Sequence, residues 1–338
     1  MKITPGKLAG LKAVSDSRGV IAAAAMDQRG SLKKALAKER GADVGDKDLE
    51  EFKSLVTEVL TPHASAILLD PEWGIPASKR RAKNAGLLMA YEKTGYDANT
   101  PGRLPDLLDD WSVRRLKDAG ADCIKILLYY TPDDPKSINE RKHAWAERIG
   151  DECRANDIPY FLELVGYQEG ADEKGPEFAK KKPEIVIGSM REFAKDRYGV
   201  DVLKVEVPVN MKYVEGTRAF GGTKVYSTKE AVDAFKRAAD AATKPFIYLS
   251  AGVSNAEFSE TLELAGNAKV PFSGVLCGRA TWKDGIPVYA KQGAGAFRKW
   301  LEAEGVKNIE NVNERLKPAR PWFEFYGVKS PEELALAR

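Results

Sequence analysis

The 338-residue sequence predicts an α/β protein: a single-domain (β/α)8 barrel, the TIM-barrel architecture, with a helical and aromatic C-terminal extension. Two observations predict this fold. Eight short apolar runs follow one another along the chain, and charged, amphipathic segments separate them. Strands that alternate with helices indicate a parallel sheet. Eight such units over about 280 residues fit a closed barrel better than an open sheet, and no GxGxxG motif follows the first run.

The strand candidates are the eight apolar runs. In chain order they are residues 19–27, 65–70, 86–91, 122–130, 159–165, 201–209, 245–251 and 272–279. Helices are expected between them, where apolar side chains recur at helical spacing. The predicted helices are 47–60, 112–119, 138–156, 228–242, 255–265 and 308–316, with Ser254 or Asn255 as an N-cap. Two stretches, 166–182 and 215–224, are expected to form long loops over one end of the barrel.

No linker or low-complexity segment divides the chain, so one domain is expected over residues 1–338. Its barrel core is expected at about 19–300. The C-terminal extension, about 301–338, holds a predicted helix and the aromatic stretch 321–326, and is expected to pack on the barrel.

Composition excludes several function classes. The formal net charge is only +3, so we expect no nucleic-acid partner. No apolar run approaches the ~18 residues of a membrane span, and no signal peptide is apparent. Cys123, Cys153 and Cys277 have no zinc-type spacing, and three cysteines fit a reduced, cytoplasmic protein.

The chain contains only two histidines, His63 and His143, and they are remote in sequence. A zinc-dependent hydrolase or a metal-dependent aldolase normally needs two or three histidine ligands close together. A histidine-rich metal site is therefore not expected, whereas a carboxylate-bound Mg²⁺ stays open.

The most informative strand candidate is 201–209, because Lys204 and Glu206 interrupt an otherwise apolar run. Side chains alternate along a strand, so these two share a face. An ionisable residue in a packed interior is costly unless it is paired or used. A neutral lysine amine attacks carbonyl groups to form a Schiff base, and burial or a neighbouring positive charge favours that neutral form.

Other strand candidates also carry ionisable residues, which in a barrel would converge on one pore. Asp27 ends the first run, Lys125 lies within the fourth and Glu163 within the fifth. Each has a structural alternative: Asp27 as a helix cap, Lys125 as a lysine reaching the sheet edge, and Glu163 as an ion-pair partner. Together with Lys204 they predict an active site at the C-terminal ends of the strands, with one lysine pKa depressed.

The last two strand candidates end in glycine-rich sequence. Ser250 lies near the end of the seventh run and Gly252 comes just after it, while Gly278 and Arg279 end the eighth run. In this barrel the loops after strands seven and eight commonly bind phosphate. We therefore predict a phosphate site there, although glycines also serve simply as turn residues.

Seven segments, in order along the chain, resemble the bacterial class I tagatose-1,6-bisphosphate aldolases of the lactose/galactose pathway. They are MDQRG at 26–30, LLDPEWGIPA at 68–77, AYEKTGY at 90–96, LLYY at 127–130, LKVEVPVN at 203–210, YLSAGV at 248–253 and VLCGRATW at 275–282. The resemblance implies a (β/α)8 barrel, a metal-free Schiff-base mechanism without a cofactor, and a small phosphorylated sugar as substrate. We also expect a homo-oligomer, either a dimer or a tetramer.

The resemblance also implies roles for individual residues. Lys204 corresponds to the Schiff-base lysine, Glu163 to the proton-transfer carboxylate, Lys125 to the second active-site lysine, and Asp27 to the carboxylate near the scissile bond. The implied substrate-binding residues are Gln28, Ser250, Gly252, Gly278 and Arg279. Glu206 has no family role and is expected to be a supporting ion-pair partner inside the barrel.

The implied reaction is reversible cleavage of D-tagatose 1,6-bisphosphate to dihydroxyacetone phosphate and D-glyceraldehyde 3-phosphate. The stretches 166–169 and 216–223 depart from the family pattern, so fructose 1,6-bisphosphate or a 6-sulfo or 6-deoxy ketose 1-phosphate is an alternative substrate. Gln28, Arg29 and the loops after the second and third strands are candidates for binding the 6-position. A non-catalytic regulator and a carboxylate-metal lyase are the alternatives from other classes; loss of the lysine and activity in EDTA, respectively, would distinguish them.

Overall fold

The computed structural model describes residues 2–93 and 100–337. Its centre is a closed barrel of eight parallel strands, each paired with its neighbours in chain order. The strands are β1 (Ile21–Met26), β2 (Ala66–Leu69), β3 (Gly86–Ala90), β4 (Cys123–Tyr130), β5 (Tyr160–Gly166), β6 (Val202–Val205), β7 (Phe246–Leu249) and β8 (Gly274–Cys277). Each predicted run overlaps one of them, and only β5 extends past its run, by one residue, so the predicted (β/α)8 barrel is confirmed.

Helices connect successive strands and surround the barrel. They are α1 (Pro5–Ala13), α2 (Gly30–Arg40), α3 (Asp46–Leu60), α4 (Ile75–Ser78), α5 (Val113–Asp118), α6 (Lys136–Ala155), α7 (Pro176–Phe193), α8 (Thr228–Asp240), α9 (Asn255–Asn267), α10 (Arg279–Trp282), α11 (Ile286–Trp300) and α12 (Val306–Glu314). The six predicted helices correspond to α3, α5, α6, α8, α9 and α12. Ser254 is the N-cap of α9, because its Oγ accepts a hydrogen bond from the Glu257 N–H at 3.1 Å.

The predicted long loop at 166–182 is wrong in its second half. Helix α7 begins at Pro176, which occupies the first turn, where its missing N–H costs nothing. The lysine-rich sequence that follows lies on this helix, while Phe178 and Ala179 are buried. The loop proper therefore comprises residues 167–175. The second predicted loop lies between two short paired strands, Val214–Glu215 and Tyr226–Ser227.

Alternation along the strands divides the apolar core into two layers. Outward side chains pack against the surrounding helices. Inward ones form a separate cluster, whose strand members are Ile21, Ala23, Ala25, Ala66, Leu68, Leu88, Ala90, Cys123, Phe161, Val202, Ile247 and Leu276. The inward positions that follow Cys123, Phe161 and Val202 by two residues are Lys125, Glu163 and Lys204, so these three side chains face the barrel interior.

The two chain termini close the N-terminal end of the barrel. Leu11 and Val14 of α1 belong to the inward cluster together with Trp322 and Phe323 from the C-terminal extension. The Trp322 N–H donates to the carbonyl of Gly19, just before β1, at 2.9 Å. The extension therefore packs on the barrel as predicted, and it leaves the opposite end for a site.

The three cysteines are free and buried. Among the described helices none is long and apolar enough to cross a membrane.

Candidate active site

Lys204 and Glu163 face each other because they are register partners on adjacent strands. Glu163 of β5 pairs with Lys204 of β6 in the parallel ladder. The Lys204 Nζ lies 2.9 Å from Glu163 Oε2. Both side chains are buried, and Lys204 is only 3% exposed. An amine and a carboxylate in direct contact can exchange a proton without an intervening water.

Lys125 is the centre of the cluster. Its ammonium lies 2.8 Å from Asp27 Oδ2, 2.8 Å from Glu92 Oε1 and 2.7 Å from Glu163 Oε2. The side chain is fully buried at 0% exposure. Glu163 Oε2 thus contacts both lysine nitrogens and bridges them.

The electrostatics of the cluster keep Lys125 charged. Burial by itself lowers the pKa of Lys125, but the negative charges of Asp27, Glu163 and Glu92 together outweigh burial and hold it well above its usual value. The direction follows from the surroundings of Lys125, because three carboxylates contact its ammonium group.

The same cluster lowers the pKa of Asp27. Burial raises its pKa, but the positive charges of Lys125 and Lys204 and the hydrogen bond from Lys125 outweigh that effect. The pKa of Asp27 therefore lies well below its usual value, and the group is ionised at neutral pH. The helix-cap alternative does not describe Asp27, because its carboxylate accepts a hydrogen bond from Lys125 at 2.8 Å.

Glu92 is a site residue that sequence analysis missed. It follows β3 by two residues, and its second oxygen accepts a hydrogen bond from the Leu127 N–H at 3.1 Å. The signal was available: Glu92 comes directly after the apolar run 86–91, just as Asp27 ends its own run. The segment 90–96 was noted only as a family motif, and its residues 94–96 lie outside the described part of the chain.

Arg29 does not face the site as an available cation. It is only 2% exposed, its Nη1 lies 2.6 Å from Glu72 Oε2, and its Nη2 donates to the Glu92 carbonyl at 2.7 Å. This differs from the expectation that Arg29 meets the 6-position of a substrate. Its role in the structure is to tie the loop after β2 to the end of β3.

Glu206 also lies apart from the lysine cluster. Strand β6 ends at Val205, and the carboxylate of Glu206 lies 3.0 Å from the Nζ of Lys182 on α7. Its other oxygen accepts a hydrogen bond from the Gly166 N–H at 2.8 Å. The expectation of an ion pair is correct, but the expected location inside the barrel is wrong, because the partner comes from a surrounding helix.

The predicted phosphate residues meet at the ends of β7 and β8, which are adjacent strands. Gly252 has a φ of +78°, and a Cβ added there would lie 2.7 Å from the Cζ of Arg279. Only glycine allows this close approach. Arg279 is exposed, and no ion-pair partner for it exists within the described ranges. An exposed guanidinium without an ion-pair partner in the described part of the chain suits an anionic ligand.

Gln28 lies between the two parts of the site. A Cβ added at Gly278 would be 3.6 Å from Gln28 Nε2, so Gln28 borders the phosphate residues. Its Oε1 is buried and has no hydrogen-bond partner among the described residues. Lys283, which sequence analysis did not select, donates to the Gly252 carbonyl at 3.0 Å and adds a positive charge nearby.

The two histidines lie apart from this cluster. His63 Nδ1 is 3.1 Å from Glu310, and His143 Nε2 is 3.1 Å from the Tyr130 hydroxyl. Over residues 2–93 and 100–337, no three His, Cys, Asp or Glu side chains are grouped as metal ligands.

Comparison with known proteins bears on this site. A family model described as DeoC/LacD family aldolase matches residues 21–284. The chain is 54% identical over 329 residues to "Tagatose 1,6-diphosphate aldolase" of Listeria monocytogenes serotype 4a (strain HCC23), covering 97% of this chain and 96% of that protein. It is also 54% identical over 317 residues to "Tagatose 1,6-diphosphate aldolase 1" of Enterococcus faecalis (strain ATCC 700802 / V583), with 94% and 96% covered.

A third relative, "Tagatose 1,6-diphosphate aldolase 2" of Streptococcus pyogenes serotype M1, is 53% identical over 308 residues, which cover 90% of this chain and 94% of that protein. Among solved structures, a Schiff-base-forming fructose-1,6-bisphosphate aldolase has a TM-score of 0.54 at 15% identity. The match covers 88% of this chain and 99% of that one. At this identity the similarity concerns the fold.

We predict a defined pH dependence for Asp27→Asn. Because the folded-state pKa of Asp27 is lowered, its carboxylate stabilises the fold above its unfolded pKa of about 3.9, and this contribution disappears as the pH falls through the folded value. At neutral pH the variant should lose up to about 3–5 kcal/mol of unfolding free energy. The difference from wild type should shrink at acidic pH. Urea denaturation between pH 7 and pH 3 measures both.

The matched control is Asp109→Asn, which removes a carboxylate from the exposed pair with Lys93. It should cost less than about 1 kcal/mol at neutral pH. A loss for Asp27→Asn that stays constant down to pH 3 would contradict the lowered pKa.

Proposed function

The chain belongs to the DeoC/LacD aldolase family, and we propose that it is a class I aldolase that reversibly cleaves D-tagatose 1,6-bisphosphate to dihydroxyacetone phosphate and D-glyceraldehyde 3-phosphate. The observation that carries this proposal is the buried Lys204 in 2.9 Å contact with Glu163, with Glu163 also contacting Lys125. The names of three relatives at 53–54% identity support tagatose bisphosphate as the substrate.

Lys204 is the proposed nucleophile. Its neutral Nζ adds to the C2 ketone, and the carbinolamine loses water to form an iminium. Glu163 lies 2.9 Å from this nitrogen, so it accepts the proton that Lys204 must lose and returns one to the departing hydroxyl. No second group has to move into the site for this exchange.

Cleavage then uses the iminium as the electron sink. A base removes the C4 hydroxyl proton, the C3–C4 bond breaks, and its electron pair forms an enamine on the Lys204 adduct. Glyceraldehyde 3-phosphate leaves, C3 is protonated, and water hydrolyses the iminium to release dihydroxyacetone phosphate. We assign the base role to Glu163, with ionised Asp27 orienting the hydroxyl or sharing the step.

Lys125 serves as a fixed positive charge. Because its pKa is raised, it does not compete with Lys204 as a nucleophile at neutral pH. Its three ion pairs hold Asp27, Glu92 and Glu163 in place, and it stabilises negative charge that develops on substrate oxygens.

The phosphate of the dihydroxyacetone half is assigned to the ends of β7 and β8. Arg279 supplies the charge, and Ser250 with the backbone near Gly252 and Gly278 supplies hydrogen bonds. Gln28, whose buried Oε1 has no hydrogen-bond partner within residues 2–93 and 100–337, is assigned to a sugar hydroxyl next to this phosphate. A small phosphorylated sugar is thus the proposed ligand.

Replacing the nucleophile tests the mechanism. Lys204→Met should lower kcat by about 10⁴-fold or more, while the circular-dichroism spectrum stays that of the wild type. Sodium borohydride with dihydroxyacetone phosphate should trap a covalent adduct on Lys204 of the wild type, identified by peptide mass mapping. The variant should form none.

Lys182→Met is the matched control, because Lys182 is also a buried lysine paired with a glutamate at 3.0 Å but lies on α7. It should retain activity and trapping. An adduct on another residue, or none in the wild type, would overturn the Schiff-base mechanism.

Substrate preference needs its own measurement. We expect D-tagatose 1,6-bisphosphate to give the highest kcat/KM when compared with fructose 1,6-bisphosphate and with 6-sulfo and 6-deoxy ketose 1-phosphates under one set of conditions. A higher value for any of the others would keep the chemistry and reject the proposed sugar.

Arg279→Met tests the phosphate assignment. Losing one hydrogen bond to a charged group should cost about 1.5–3 kcal/mol, so kcat/KM should fall by about 10–100-fold, mostly through KM. Inhibition by dihydroxyacetone phosphate should weaken in parallel. Arg237→Met, which removes an exposed arginine paired with Glu184 on the outer surface, is the control. An unchanged KM in Arg279→Met would move the phosphate elsewhere.

A further inference from the structure

Lys53 is a fully buried lysine outside the residues assigned above. It lies on α3, on the outside of the barrel, and is 0% exposed. Its Nζ donates to the carbonyl of Met26 at 2.8 Å and to the carbonyl of Gln28 at 2.7 Å. These are the two carbonyl groups that flank Asp27.

The third contact of Lys53 fixes the ammonium itself. Its Nζ lies 2.6 Å from Asp70 Oδ2, and Asp70 is also 0% exposed. Asp70 is in turn held by the loop after β2, since its Oδ1 accepts the Trp73 N–H at 2.9 Å. The ammonium group of Lys53 therefore makes two hydrogen bonds to backbone carbonyls and one ion pair with a buried carboxylate.

Lys53 binds the backbone just where the hydrogen-bonded pairing of β1 with its neighbouring strands ends. Met26 is the last residue of β1 and pairs with Leu69 of β2. Beyond it, Asp27 and Gln28 pair with none of the described strands, yet the Asp27 carboxylate must stay 2.8 Å from Lys125. The two hydrogen bonds from Lys53, which approaches from outside the barrel, hold this unpaired backbone in place.

Burying a charged group at this position has a desolvation cost that an apolar side chain of similar size would not have. Replacing a buried ion pair by apolar side chains is often neutral or stabilising, so packing alone does not explain Lys53. Catalytic groups, in contrast, must be held within about 0.5 Å of their working geometry by supporting hydrogen bonds.

We propose that Lys53 is a positioning residue of the aldolase site, which holds the backbone on both sides of Asp27 so that the Asp27 carboxylate remains in contact with Lys125. Lys53 acts through the backbone and does not touch substrate. The kinetic consequence rests on the proposed aldolase function, whereas the structural consequence for Asp27 does not.

Lys53→Met tests the proposal in the full-length protein. We expect kcat for cleavage to fall by about 10–100-fold with little change in KM, because a misplaced group affects the chemical step more than binding. Borohydride trapping of dihydroxyacetone phosphate on Lys204 should persist, because forming that adduct does not involve the C4 hydroxyl. A kcat close to wild type, or loss of trapping together with cleavage, would overturn the proposal.

A double-mutant cycle separates positioning from general destabilisation. If Lys53 acts through Asp27, then Lys53→Met should have almost no further effect on kcat in the Asp27→Asn background. An equal loss in both backgrounds would overturn the proposal. Lys7→Met is the control: it removes a largely buried lysine paired with Asp201 at 2.8 Å near the N-terminal end of the barrel, and should leave kcat unchanged.

Asp70→Asn provides a second variant if Lys53→Met does not fold. It removes the anion that fixes Lys53 but keeps the lysine, so it should reduce kcat less, and again only when Asp27 is present. A loss that persists in the Asp27→Asn background would count against positioning.

A measurement without substrate distinguishes this proposal from the proposed function. Urea denaturation at several pH values measures how much unfolding free energy Asp27 contributes at neutral pH and how much of it is lost in acid. The contribution is the difference between a protein with Asp27 and the same protein carrying Asp27→Asn. We expect this difference to be smaller in Lys53→Met than in the wild type. If the wild-type protein cleaves no sugar phosphate, the proposed function is rejected. The acid-dependent difference in unfolding free energy would still test whether Lys53 positions Asp27. An undiminished difference in Lys53→Met would overturn the positioning role.

Discussion

The site depends on the ion pairs between one buried lysine and three carboxylates. Lys125 loses its hydration inside the barrel, and an isolated charge there would cost several kcal/mol. Asp27, Glu92 and Glu163 replace the lost water with contacts of 2.7–2.8 Å. The dependence is mutual, because the same positive charge keeps the largely buried Asp27 ionised. Removing Lys125 would leave Asp27, Glu92 and Glu163 without the cation that they share.

The barrel makes this cluster possible because it brings strands that are distant in sequence together around one interior. Its N-terminal end is closed, which limits the access of water from that side. Inward positions near the N-terminal end are apolar, and α1 with Trp322 and Phe323 closes that end. Electrostatic interactions are stronger in such a low-dielectric setting. Two chain termini that are remote from the chemistry in sequence therefore contribute to the environment of Lys204 and its neighbours.

Two arginines illustrate how partners decide the use of a side chain. Arg29 is buried and ion-paired with Glu72, and its hydrogen bond to the Glu92 carbonyl supports the carboxylate cluster. Arg279 packs beside Gly252 and is exposed. The first completes the protein's own charge balance and the second is available to a ligand. The two lysines differ in the same way. Lys53 binds the protein's own backbone, whereas Lys204 is assigned to form the covalent bond with the substrate.

The eight-strand barrel and the convergence of Asp27, Lys125, Glu163 and Lys204 could be predicted from the sequence, because alternation within a strand and strand order in a barrel follow general rules. Which charged groups pair with each other became known from the three-dimensional contacts. Glu92, the outer position of Glu206 and the burial of Arg29 could not be derived, since ion pairing depends on distances between loops and helices far apart in sequence. Those distances fix Lys125 as a permanent cation.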